Sequence, residues 1–161
     1  MSNKVLIKHE KAGTFPLSEQ AVESLYAFVR APSNEQVKVL VYQALSSGVE
    51  PDYSAMNRDL KKYVRTSYDL ILLKISALIY IKDDLPITQF NKNYILLVAS
   101  LFHRVIPQKS IDILQALLCD NINQLATAKK FGVPQSNVSR LAKKFAEVDS
   151  LAKKSISMFL L

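Results

Sequence analysis

The chain has 161 residues, 49% of them hydrophobic, with only three glycines and six prolines, so it can build one well-buried domain or two small ones and has little material for disordered tracts. A single cysteine, Cys119, excludes an intramolecular disulfide and a cysteine-based zinc site; two distant histidines, His9 and His103, give a structural metal little to bind, and no metal or cofactor is expected. The formal net charge of +7 suits a polyanionic partner, and most of it falls from Arg104 onward, where nine Lys or Arg stand against four Asp or Glu.

Met1–Lys11 carries a charged run where the apolar stretch of a secretory signal would sit, so a reducing cytoplasm is the expected compartment. Lys4–Lys8 is the one short strand signal, or else an N-terminal arm. Ser18 is the expected N-cap of a helix to about Arg30, with Ala21, Leu25, Phe28 and Val29 on one face, broken at Ala31-Pro32. Ser33 with Gln36 forms a capping box for a helix to about Leu45 that stops at Ser46-Ser47-Gly48. Pro51 opens a helix over Asp52–Val64, and Thr66 or Ser67 caps another to about Lys82. A break at Asp83–Pro86 separates a helical N-terminal region, residues 1–86, from residues 87–161, although helices on either side of it are able to share a core. Thr88 opens a helix to about His103, and Pro107 begins Gln108–Cys119. Asp149 caps a last helix to about Phe159. Roughly nine helices result, an all-α, multi-helix chain. The most apolar stretches, Leu70–Ile81 and Tyr94–Phe102, are too short to span a bilayer, so no membrane is expected.

Gln124–Phe145 reads as two helices joined by a tight turn, the pattern of a helix-turn-helix. Ala128 supplies the small residue where the helices cross. Gly132 tolerates positive φ, and Val133, Val138 and Leu141 are spaced to pack on Leu125 and Phe131. Pro134 is accommodated in a first helical turn. In a major groove the second helix would present Gln135, Ser136, Asn137, Ser139 and Arg140 to base edges. Lys129, Lys130, Lys143 and Lys144 suit phosphates, and Gln124 is placed to bond a phosphate and to brace Gln135.

From Tyr94–Ser100, through Ile111–Leu118, Asn123, Phe131, Val138-Ser139 and Lys144 to Val148–Leu151 and Phe159, the chain resembles the PapB-type regulators of adhesin (fimbrial) biosynthesis. Over the helix-turn-helix alone it is also similar to KorA-type plasmid repressors. The resemblance implies a bacterial, plasmid- or phage-borne transcription regulator, nucleoid- or plasmid-associated, that binds double-stranded DNA as a homo-oligomer. The apolar Leu151, Ile156 and Phe159 of the last helix, or the N-terminal helices, are the candidate dimer surfaces.

Arg58, Lys61, Lys62 and Arg65 form one basic helical stripe, either a solvated face or a second phosphate surface. Tyr53, Tyr63, Tyr68, Tyr80 and Tyr94 have the spacing of core and interface packing rather than of base stacking. His103 reads as a helix-end histidine and Cys119 as a core thiol. No catalytic constellation is visible, so an enzyme is not expected. Two other readings compete: a plasmid partition or copy-control protein, and a protein-interaction module whose N-terminal region binds a protein partner and whose C-terminal pair is only a packing hairpin.

Overall fold

A computed structural model describes residues 17–159, apart from the side chain of Phe159, and these residues form seven α-helices, one 3₁₀ turn and no strand. The expected strand at Lys4–Lys8 lies outside the described residues. Helix α1 (Glu19–Leu25) starts at Ser18, whose Oγ accepts the Ala21 amide at 3.2 Å. It stops five residues earlier than the sequence suggested because its last turn tightens into i→i−3 bonds, yet Phe28 and Val29 remain buried beyond it. Helix α2 (Glu35–Ser47) is capped not by Ser33 but by Asn34, whose Oδ1 accepts the amides of Gln36 and Val37 at 2.9 and 3.3 Å. It ends, as expected, at Gly48 in the left-handed region.

The expected helix Asp52–Val64 and its successor are corrected together. Asp52 caps only a 3₁₀ turn, Tyr53–Ala55, and Asn57 then caps a single helix α3 (Arg58–Asp84) of 27 residues, about 40 Å long. Thr66 and Ser67 cap nothing. The apolar series Val64, Tyr68, Ile71, Ile75, Leu78 continues past them at spacings of three and four, and no Gly or Pro interrupts it. Burial of each Ile or Leu in this stripe contributes ~1.5–3 kcal/mol, more than two optional capping bonds.

Helix α4 (Lys92–Ser100) is shorter than predicted at both ends, with Asn91 rather than Thr88 as its cap. Its C-terminal end is held from the side. Buried Lys74 of α3 donates its Nζ hydrogens to the carbonyls of Ser100 and, at 2.9 Å, Phe102, so an ammonium sits at the negative end of α4. Burial lowers its pKa to about 8. Pro107 precedes α5 (Gln108–Leu118), and Asn123 caps α6 (Gln124–Phe131), its Oδ1 accepting the Ala126 amide at 2.8 Å.

The last helix, α7 (Gln135–Phe159), merges two predicted elements. Asp149 is no cap: it lies buried in the middle of α7 and accepts hydrogen bonds from the Tyr94 hydroxyl of α4 and from Lys153, the latter at 2.9 Å. Phe145, Val148, Ala152 and Ile156 carry one buried stripe through the expected break, which keeps the helix intact.

The buried apolar side chains of α1–α4, with Ile111 and Leu114 further on and those of the last helix from Phe145 onward, belong to one continuous core that runs from Leu17 to Ile156, across the Asp83–Pro86 turn. Helix α3 packs on α1, α2, α4 and α7 and is the spine of the molecule. Ile156 lies in this core, so it is not available to a dimer contact; Leu151 and Met158 are the partly exposed apolar residues of that end. No helix among the described residues is long and apolar enough to cross a membrane.

Candidate nucleic-acid interface

Helix α5 works on two faces. Ile111 and Leu114 join the main core, while Ile113 turns the other way into a second, smaller cluster with Ala128 of α6 and Val138 of α7. Leu117, Phe131, Val133 and Leu141 pack around it, and Leu141 also touches the main core. Thus α6 and the start of α7 rest on α5, and Leu141 ties them to the body of the protein. The predicted role of Leu125 is overturned: it is 52% exposed, and the apolar support that the sequence reading assigned to it comes from Ile113 and Leu117.

The link between α6 and α7 is only Gly132, Val133 and Pro134. Gly132 has φ 63° and ψ 40°, a conformation that costs a residue with a Cβ. Its N–H and that of Val133 return to the carbonyls of Lys129 and Ala128 at 3.3 and 3.1 Å, a Schellman-type closure of α6. The Pro134 carbonyl then accepts the Asn137 amide at 3.0 Å and opens α7. Ala128 thus has two functions, as the small contact with Val138 and as the acceptor that locks the turn.

This closure sets the direction of everything outside it. Gln135, Ser136, Asn137, Ser139 and Arg140 are all exposed on the first turns of α7. Lys129 and Lys130 are exposed on the last turn of α6, with the Lys130 ammonium 5.6 Å from the Phe131 ring centre; Lys143 and Lys144 are exposed further along α7. Among the described residues the ion pairs are Lys38–Glu23 and Lys153–Asp149, so none of these four lysines has a carboxylate partner. The first turn of α7 carries no acidic residue to offset its positive helix end. Gln124 is half-buried and makes no hydrogen bond to Gln135, which removes the expected bracing. A contact that the sequence reading missed joins two of its own candidates: Arg140 donates from Nη2 to Asn137 Oδ1 and from Nε to the Ser136 carbonyl at 3.4 Å. The i, i+3 spacing was its signal.

Comparison with known proteins adds nothing to these residues. No family model, curated protein or solved structure matches the chain.

The remaining candidates divide. In the α3 stripe Arg65 stacks 4.7 Å from the Tyr53 ring centre, while Arg58 and Lys62 are exposed without carboxylate partners. Tyr68 and Tyr94 are buried, whereas Tyr63 is 58% exposed and lines a surface cleft with Arg30, Ser33 and Ser67. His103 lies beyond the end of α4, its Nε2 2.7 Å from the Ala27 carbonyl. Cys119 is half-buried against the core, and burial followed by Asp120 raises its thiol pKa. No group of three or more His, Cys, Asp or Glu among the described residues is placed to hold a metal.

Proposed function

We propose that this protein is a sequence-specific DNA-binding transcription regulator that reads the major groove with a helix-turn-helix made of α6, the Gly132–Pro134 turn and the first half of α7. The observation that carries this reading is the locked turn over Ile113, Ala128 and Val138, with polar side chains exposed on the next two turns and unpaired lysines on either side. Gln135 and Arg140 have the chemistry to bond adenine and guanine, and Ser136 and Ser139 the chemistry to bond either. Lys129, Lys130, Lys143 and Lys144 neutralise phosphates and hold the helix in register. One such motif contacts too few base pairs for useful discrimination, so a dimer or higher oligomer on double-stranded DNA is part of the proposal. The resemblance to PapB-type regulators supports the same reading.

Fluorescence polarisation tests it. Duplexes selected from a random library by the full-length protein should bind at least ~10³-fold more tightly than scrambled duplexes of the same length. Replacing Lys129 and Lys130 together by Ala should reduce the salt slope by ~1.8 for both kinds of duplex alike. Equal affinity for selected and scrambled duplexes at raised salt would refute the regulator; an unchanged slope would remove the two lysines from the interface.

A further inference from the structure

Arg140 and Asn137 are neighbours on the exposed face of α7, yet their geometry gives them unequal work. The Arg140 side chain runs back toward the N-terminal end of the helix, the end that enters the groove in the reading above. Its Nε–H donates to the Ser136 carbonyl and one Nη2–H donates to Asn137 Oδ1. A guanidinium has five N–H donors in a fixed plane. The Nε edge, with the adjoining Nη2 hydrogen, is taken up by the helix itself. The remaining hydrogens of Nη1 and Nη2 include the pair that projects from the far end of the group. That end-on fork has two parallel donors, enough to bond O6 and N7 of guanine bidentately.

Asn137 is in the opposite condition. An asparagine reads adenine bidentately only if its oxygen accepts from the base while its amide donates to it. Here the oxygen accepts from Arg140 and is turned along the helix. No carboxylate among the described residues pairs with Arg140, so Asn137 is the side chain that fixes it.

We propose that Asn137 is a positioning residue: its Oδ1 holds the Arg140 guanidinium so that the free end reads one guanine, and Asn137 reads no base. The inference rests on the DNA-reading role of α7. It divides the five exposed candidates into Arg140 as a guanine reader, Asn137 as its support, and Gln135, Ser136 and Ser139 as independent contacts. Holding the arginine before DNA arrives moves part of its ordering cost from binding to folding.

The test is affinity selection of random-sequence duplexes by the full-length protein, followed by sequencing, for the wild type, Arg140→Ala, Asn137→Ala and Asn137→Asp. Arg140→Ala should erase a guanine preference of about 5- to 150-fold at one position. Asn137→Ala should weaken that same preference by about 2- to 12-fold and leave the others as they were. Asn137→Asp keeps the accepting oxygen, so the guanine preference should persist while the added negative charge lowers affinity for every duplex. An Asn137→Ala protein that loses an adenine preference elsewhere, or keeps the full guanine preference, overturns the proposal. So does an Asp variant that loses the guanine, or an Arg140→Ala protein that keeps it. A wild type without preference at any position overturns the DNA reading itself, a result distinct from all of these. Unchanged helical circular dichroism shows that each variant is folded.

Discussion

Replacing Tyr94 by Phe removes one oxygen atom from the centre of the protein and tests the join between α4 and α7. Tyr94 is fully buried and Asp149 is 8% exposed, so water has little access to either. The Asp149 carboxylate is held by the Tyr94 hydroxyl and by Lys153 at 2.9 Å. Phenylalanine fills nearly the same volume, including the ring contacts with Phe90, so the change leaves almost no cavity. What is lost is a hydrogen bond to a buried charge, worth ~1.5–3 kcal/mol. For a chain of this size each kcal/mol moves Tm by ~2–4 °C, so Tm should fall by ~3–12 °C. Urea unfolding followed by far-UV circular dichroism should give a lower midpoint with an unchanged slope.

The pH dependence supplies an independent check. Burial, then the hydrogen bond and charge of Asp149, raise the Tyr94 pKa above its ordinary value. A phenol whose folded pKa is raised contributes stability that is fully present below its unfolded value of ~10 and is lost as pH climbs past it. The wild type should therefore lose stability above pH ~10 more steeply than Tyr94→Phe. A double-mutant cycle with Asp149→Asn should show coupling of at least ~0.5 kcal/mol. A Tyr94→Phe protein within ~0.5 kcal/mol of wild type, with the same alkaline profile, would refute the buried pair.

The Gly132 turn and the Lys74 ammonium give two further tests. Gly132→Ala meets nothing within 4 Å, so its whole cost is backbone strain at φ 63°, ~1–2 kcal/mol, and Gly132→Asn should cost less because Asn tolerates that region; equal stability of all three proteins in urea would refute the left-handed turn. Lys74 has a folded pKa lowered to about 8 from 10.5, so the unfolded chain binds more protons between those values and stability rises with pH there. Between pH ~7 and ~9 the wild type should gain ~1.4 kcal/mol relative to Lys74→Met, and identical pH profiles would show that Lys74 is not buried as an ion.

Helical periodicity and caps were readable at different levels. Ser18, Gly48 and Gly132 stand where the sequence reading placed them, because each acts on backbone groups within four residues of itself. Thr66, Ser67 and Asp149 look the same locally and cap nothing, because a buried stripe on α3 or α7 continues through them and tertiary packing outweighs a local bond. Asp149 was misread for a further reason: its partner, Tyr94, is 55 residues away. The same limit hid Lys74, whose two acceptors lie 26 and 28 residues away, at the last residue of α4 and just beyond it. At the candidate interface, the exposure of Gln135, Ser136, Asn137, Ser139 and Arg140 followed from the turn, whereas Leu125 was misassigned. Its spacing fits the pocket, but Ile113 and Leu117 of α5 fill the place.

The unbroken course of α7 has a mechanical consequence. A rod of 25 residues, about 37 Å long, carries Gln135 and Arg140 at one end, while Phe145, Val148, Ala152 and Ile156 clamp the rest into the core. Its exposed tip therefore cannot swivel by itself: Val138 and Leu141 seat it on α5 and α6, and the same rigid rod is gripped again several turns away. Cut free of the clamp, the same segment would display a bare apolar stripe, so it is no portable cassette.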